Sequence, residues 1–219
     1  MQYNILPYGQ LLGLIMGRVS NAREKLIDSA VTLIGNRSYS SVGVQDLCNH
    51  AGVKKGSFYY FFESKKELTL RSLDAIWEQF NEHLLEPIAK QNGTFREKLN
   101  YLMDKSYNQQ CTCKESVGCI TGCPFGNLAL EMSTQDEDIR NKIEQIFSEW
   151  AVWFEKLIRD AVDSGELPAN TNVKATAQSL VAYIEGLSLM SKAFNDPDMV
   201  RNLSCVVNKI TVFNDAMVE

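Results

Sequence analysis

The sequence predicts an all-α chain, and three observations carry that prediction. Apolar residues recur with a helical period in nearly every stretch, no segment sustains strand-like alternation, and near residue 52 two short helical patterns meet at a glycine. The expected plan is an N-terminal three-helix module followed by a larger helical region.

The first helix is predicted between residues 23 and 34. Leu26, Ile27, Ala30, Val31, Leu33 and Ile34 follow the i, i+3, i+4, i+7 rule, and Gly35 and Asn36 sit where a helix would stop. In "VGVQDLCNHAGV", Val44, Leu47, Cys48 and Ala51 share one side of a second, short helix closed at Gly52. A third starts at Lys54 or Lys55 and carries Phe58 and Phe62 one turn apart. A fourth continues from Leu68 through Leu73, Trp77 and Leu84 to Pro87. Further helices are expected at 94–109, 125–133, 137–164, 173–194 and 197–216, broken at Gly93, at a cysteine-rich loop, at "GELPAN" and at Asp196-Pro197. No internal repeat or low-complexity tract occurs.

With 45% hydrophobic and 22% charged residues, the composition is that of a globular chain rather than a disordered or membrane one. The apolar run in "GQLLGLIMGR" is far shorter than the roughly 20 residues of a membrane span, and no basic residue precedes it as a secretory signal requires. The expected location is cytoplasmic. Residues 1–17 carry no charge and no clear period, and read as an N-terminal arm; Met16-Gly17-Arg18 could itself be a natural start.

The charge is unevenly placed. Residues 18–71 hold nine Lys/Arg against five Asp/Glu, a net of +4, which leaves −9 for the rest of a chain whose total is −5. Such asymmetry hints that one part meets a polyanion. It peaks in "AGVKKGSFYYFFESKKEL", where four aromatic rings lie between pairs of lysines. If Val53, Phe58 and Phe62 face the bracing helices, Lys54, Lys55, Ser57, Tyr59 and Tyr60 project outward. Ammonium groups and phenols suit phosphate oxygens, and short side chains allow approach to base edges. The alternative is structural: Tyr59 and Tyr60 packing under the fourth helix, and Lys65 and Lys66 with Glu63 and Glu67 forming a solvated helix start.

Taken together with the preceding "VGVQDLCNH", this stretch resembles the DNA-binding domain of the TetR family of transcriptional regulators, over roughly residues 23–69. "GCPFGNLALE" further downstream is similar to the ligand domains of some members. The resemblance implies a homodimer whose paired third helices enter successive major grooves of a palindromic double-stranded DNA operator. It implies release by a small-molecule effector bound in the larger domain, with repression as the usual outcome. The expected division is a helix-turn-helix DNA-binding domain at 18–66 and an effector-binding and dimerisation domain at 67–219, with no cofactor, no metal and no membrane partner. Carried across by position, Gln45, Lys54, Lys55, Gly56 and Ser57 match the base-facing surface. Tyr59 and Lys65 match phosphate contacts, and Tyr60 matches a groove-facing aromatic. Two positions depart from the pattern: Gly43 stands where Thr or Ser commonly caps the second helix, a change worth a few tenths of a kcal/mol, and Phe61 stands where His is common.

Four of the six cysteines fall in "CTCKESVGCITGCPFGN": Cys111, Cys113, Cys119 and Cys123. Three readings stand side by side. Four thiolates can hold zinc, although the spacing lacks the usual paired C-x2-C knuckles. A thiol switch is the second: Cys123 precedes Pro124, a residue favoured in a first helical turn, so the helix dipole would favour its thiolate, and Cys119, Cys113 or Cys111 could resolve an oxidised form. Packing of Cys123 as a small hydrophobe beside a mobile surface loop is the third. Cys48 and Cys205 lie on apolar faces and are expected in the core.

An effector pocket is expected from Trp77, Tyr101, Tyr107, Phe125, Met132, Trp150, Trp153 and Tyr183, with Met103 and Phe154, although such aromatic stripes more often build core. Residues 173–194 and 197–216 are apolar over more than one face, as self-association through a four-helix bundle of two copies requires. A closed monomeric core is the plainer explanation. From another class, a cysteine-dependent redox enzyme using Cys123 would want a basic partner, for which the sequence offers two histidines, His50 and His83, with Arg or Lys as substitutes.

Overall fold

The computed structural model describes residues 22–213, with side chains to residue 210; the expected arm at 1–17 and the apolar Val212 and Phe213 side chains lie outside the described residues. Among the described residues every regular element is helical. The helices are α1 (Ala22–Asn36), α2 (Val44–Ala51), α3 (Lys55–Phe61) and α4 (Lys65–Phe80). A π-helical turn (Asn81–Leu85) leads into α5 (Glu86–Lys90), followed by α6 (Phe95–Val117), α7 (Pro124–Met132), α8 (Glu137–Asp163), α9 (Val173–Phe194) and α10 (Asp198–Phe213).

The chain forms two compact units, each discontinuous in sequence. One holds residues 22–79 with 124–143, the other residues 80–123 with 144–213. The first therefore runs beyond residue 66, where sequence alone drew a boundary, and takes in α7 and the start of α8.

In the first unit α1, α2 and α3 contact one another pairwise around Leu26, Leu47, Cys48, Phe58 and Leu68, none of which is exposed. The period of the first helix explains its buried face: Leu26, Ile27, Ala30, Val31 and Ile34 all point inward. Gly52 ends α2 with φ of 66°, its N–H bonding to Asn49 O and the next N–H, of Val53, to Cys48 O. This is the paired closure that a left-handed residue makes possible, and only glycine adopts it without strain. A Cβ built there meets nothing within 4 Å, so Gly52→Ala is expected to lose about 1 kcal/mol from backbone strain alone, measurable as a lower urea midpoint. A cavity between α1, α4 and α7, bounded by Ile34, Thr69 and Leu128, measures about 20 Å³ and has room for a water rather than an organic effector.

In the second unit α6, α9 and α10 pack together, and α5 lies against α6. The first turn of α6 is satisfied in full. Thr94 and Glu97 exchange bonds as a capping box, and the Glu166 carboxylate accepts from the N–H groups of Phe95 (2.7 Å) and Arg96 (3.0 Å).

Several expectations are corrected here. α6 continues past 109 to Val117, because nothing between Gln109 and Val117 breaks a helix, and it stops at Gly118 with φ of 81°. Cys111 and Cys113 are therefore helical rather than in a loop. Pro87 does not end the fourth helical stretch: a π turn carries the helical backbone from α4 into α5, with Leu85 and Glu86 both in the right-handed helical conformation. Cys205 is exposed, not core, while Cys48 is buried.

Candidate nucleic-acid interface

The surface built by α3 begins with its buried side. Phe58 is 0% exposed and Phe62 2%, their ring centroids 6.0 Å apart. Two buried rings one turn apart anchor the short helix, and the residues between them must face away. Lys54, Lys55 and Gly56 are exposed, Tyr59 is 54% and Tyr60 82% exposed, and Ser57 is half-buried. Tyr59 stands edge-on to Phe58 and Tyr60 edge-on to Phe61, at 5.2 and 4.8 Å. Neither tyrosine is enclosed, so packing does not explain two phenols at this density. Lys54 occupies the position just before α3 and makes no side-chain cap.

Gln45 is exposed on α2 and its amide donates to Asn49 Oδ1 at 2.9 Å. Gly43 starts α2 with no side chain to cap it, and only its own N–H is closed, by Asp46 Oδ2 at 2.8 Å. His50 Nδ1 meets Ser29 Oγ at 2.9 Å, a tie between α1 and α2.

Lys65 departs from the expected phosphate contact. Its ammonium donates to the carbonyls of Tyr39 (2.9 Å) and Val42 (3.0 Å) and lies 3.9 Å from the centroid of the Tyr39 ring. Burial lowers its pKa, partly countered by Glu131. The loop's carbonyls, spaced to match one ammonium, hold it half-buried against the protein. Lys66 bonds to Asp138 at 2.6 Å and lies 3.5 Å from Asp136.

The cysteines do not converge. Cys113 is buried, and its Sγ contacts Cys119 O and Thr121 Oγ1, both at 3.4 Å. Asn195, in the left-handed conformation at the end of α9, takes Ile120 N–H on Oδ1 and the Lys114 ammonium on its carbonyl, so the loop is tied rather than loose. Cys111 bonds to the Tyr107 hydroxyl, under Arg201 at 4.3 Å. Cys119 is exposed. Cys123 is half-buried and hydrogen-bonds the Glu185 carboxyl, whose pKa burial raises and this bond partly restores. None of the six cysteines is in a disulfide, and among the described residues no three His, Cys, Asp or Glu side chains are placed to hold a metal ion.

The expected pocket residues are divided. Trp77, Phe125 and Met132 belong to the first unit, where Trp77 and Phe125 pack edge-on at 6.1 Å. Tyr101, Tyr107, Trp150, Trp153 and Tyr183 belong to the second. There Tyr183 bonds to the Leu203 carbonyl and Tyr101 sits beneath Lys105. Trp150 and Trp153 pack on Phe154, yet their shielded indole N–H groups have no partner. The same holds for Oε1 of Gln110 and of Glu185, two residues that sequence reasoning missed because nothing local marks them as buried.

A helix-turn-helix with a basic, phenol-bearing outer face is the arrangement of a DNA-binding regulator. Comparison with known proteins agrees. Residues 26–71 match the family described as bacterial regulatory proteins, tetR family, and residues 107–206 match the tetracyclin repressor-like C-terminal domain. An uncharacterised HTH-type transcriptional regulator of Lactococcus lactis subsp. lactis is 30% identical over 182 residues, covering 83% of this chain and 89% of the relative. The HTH-type transcriptional repressor NemR of Escherichia coli K12 is 27% identical over 125 residues, 57% of this chain and 61% of NemR. The crystal structure of NemR in reduced form shares the fold with a TM-score of 0.75 at 23% identity, over 87% of this chain and 97% of NemR. A regulatory protein TetR from Rhodobacter sphaeroides gives a TM-score of 0.77 at 25% identity, over 86% and 98% of the two chains. The chain belongs to the TetR family of transcriptional regulators. No helix among the described residues is long and apolar enough to cross a membrane.

Proposed function

We infer that the protein is a repressor that binds an inverted-repeat operator as a two-fold dimer and releases it when an effector acts on the second unit. The observation that carries the DNA half is the two-sided α3: Phe58 and Phe62 buried, Lys54, Lys55, Gly56, Tyr59 and Tyr60 exposed. Ser57 and Gln45 complete the base-facing set, with the lysines and Tyr59 on phosphates. Dimerisation is supported by exposed apolar side chains on the last two helices, Leu189, Met190, Phe194 and Leu203, with Phe194 64% exposed. A second copy is the cover such a face requires.

Two features support the effector half. Unpartnered Trp150 and Trp153 N–H groups and unpartnered Gln110 and Glu185 oxygens, within one unit, favour a ligand carrying both acceptors and donors. Cys123, held by Glu185 just before α7, is the thiol best placed to answer an electrophile or oxidant. NemR, a relative whose structure is of a reduced form, supports a redox-sensitive state.

The test is protection of the DNA upstream of the protein's own coding region, followed by titration with N-ethylmaleimide or dilute peroxide. An inverted repeat should be protected, and thiol modification should weaken its binding at least about tenfold, or 1.4 kcal/mol, in wild type but not in Cys123→Ser. Unaltered binding by modified wild type removes the thiol reading, and absence of protection on any duplex removes the operator reading.

A further inference from the structure

A carboxylate from the second half of the sequence reaches the loop from which α2 begins. Glu131, in the last turn of α7, accepts hydrogen bonds from the N–H groups of Tyr39 and Ser40, both at 2.8 Å. The Lys65 ammonium donates to the carbonyls of Tyr39 and Val42 in the same loop. Ser38 and Ser41 close the same loop on each other through their hydroxyls. Four backbone polar groups within four residues are thus held by two side chains from distant parts of the chain. The loop runs directly into Val42, fully buried, and Gly43, which lends α2 no cap of its own. The setting of α2, and of Gln45 on it, therefore depends on how this loop is held.

We propose that Glu131 is a positioning residue for DNA binding, its carboxylate fixing the 39–42 loop so that α2 and α3 present their outer faces in one arrangement. This rests on the DNA-binding reading of α3. Residues 124–143 fall within the match to the C-terminal domain, yet they cluster with the helix-turn-helix, where Lys66 reaches Asp138 and Lys142 reaches Asp74 (2.8 Å). Burial works against the ionised carboxyl of Glu131, but the N–H groups of Ser40 and Tyr39 and the charge of Lys65 outweigh it and hold its pKa below the usual carboxylate range.

A negative charge near a duplex would ordinarily repel it, so a merely electrostatic role and a positioning role predict opposite signs. The probe is a duplex carrying the inverted repeat that wild type enriches from a randomised pool. The variants are Glu131→Gln, similar in shape without charge, and Glu131→Asp, charged but one methylene shorter. Affinity should fall roughly tenfold in both, as loss of a charge-assisted contact implies. The slope of log affinity against log salt should flatten by about one, because fewer phosphates are engaged at once. Amide exchange at Tyr39 and Ser40 should accelerate while Phe58 keeps its protection. Wild-type affinity and slope in both variants would overturn the proposal, as would tighter binding by Glu131→Gln with Glu131→Asp unchanged. Loss of Phe58 protection in both would overturn it too, since Glu131 would then hold the fold rather than the loop. A wild-type chain lacking salt-dependent duplex affinity would instead remove the reading beneath it.

Discussion

Replacing Lys54 and Lys55 together by alanine is expected to weaken operator binding by roughly 10- to 100-fold at moderate salt, and to flatten its salt dependence by about two. Both residues are exposed, one just before α3 and the other at its first position, and Lys54 makes no cap that the fold would miss. Stability should therefore change by no more than about 0.5 kcal/mol. Each lysine neutralising one phosphate contributes about 0.9 to the slope of log affinity against log salt. Fluorescence anisotropy with a labelled duplex across a salt series reads affinity and slope together. If the slope stays unchanged, these lysines do not meet the backbone and α3 is not the reading helix. Tyr60→Phe offers a finer comparison: it keeps the ring and removes one hydroxyl, so about 1 kcal/mol should be lost with little change in slope.

The largest loss of stability is expected at the opposite side of the same helix. Phe58→Ala removes a ring that is 0% exposed and packs on Tyr59 and Phe62. Large aromatic truncations in a core cost about 3–5 kcal/mol, against a total of about 5–15 kcal/mol for a typical domain. Unfolding of the helix-turn-helix should come first and should abolish operator binding. Tryptophan emission can separate the two units, since Trp77 lies in the first while Trp150 and Trp153 lie in the second. Under urea, Phe58→Ala should show the Trp77 signal changing early, resolved with Trp150 and Trp153 each replaced by Phe. A single unshifted transition would mean that Phe58 contributes little to the core.

The part of the fold legible in sequence is the part built from neighbours. α1 to α3 follow from apolar spacing, from one glycine at the turn and from two phenylalanines a turn apart, all within about forty residues. The outward face of α3 follows from the same spacing, because burial of Phe58 and Phe62 leaves the lysines and tyrosines nowhere else to point. What escaped the sequence depends on remote partners. Lys65 looks like any lysine at an exposed helix start, and only the folded loop supplies the carbonyls of Tyr39 and Val42 that draw it inward. Glu131 sits in an apolar run with nothing to mark it, and its partners lie 92 and 91 residues earlier. Cys205 reads as core because its helix is apolar on several sides, whereas one chain alone covers only some of them. The continuation of α6 through Cys113 was obscured by chemistry: four clustered cysteines invite a loop reading, although their neighbours form helices readily.

The first unit draws on residues 22–79 and again on 124–143. A nascent chain leaving the ribosome thus carries its DNA-reading helices for more than forty residues before α7 and Glu131 follow. Until then the Tyr39 and Ser40 amides and the Trp77 ring await their partners, so an N-terminal fragment ending at residue 79 would lack the carboxylate of Glu131 and the ring of Phe125 that complete this unit.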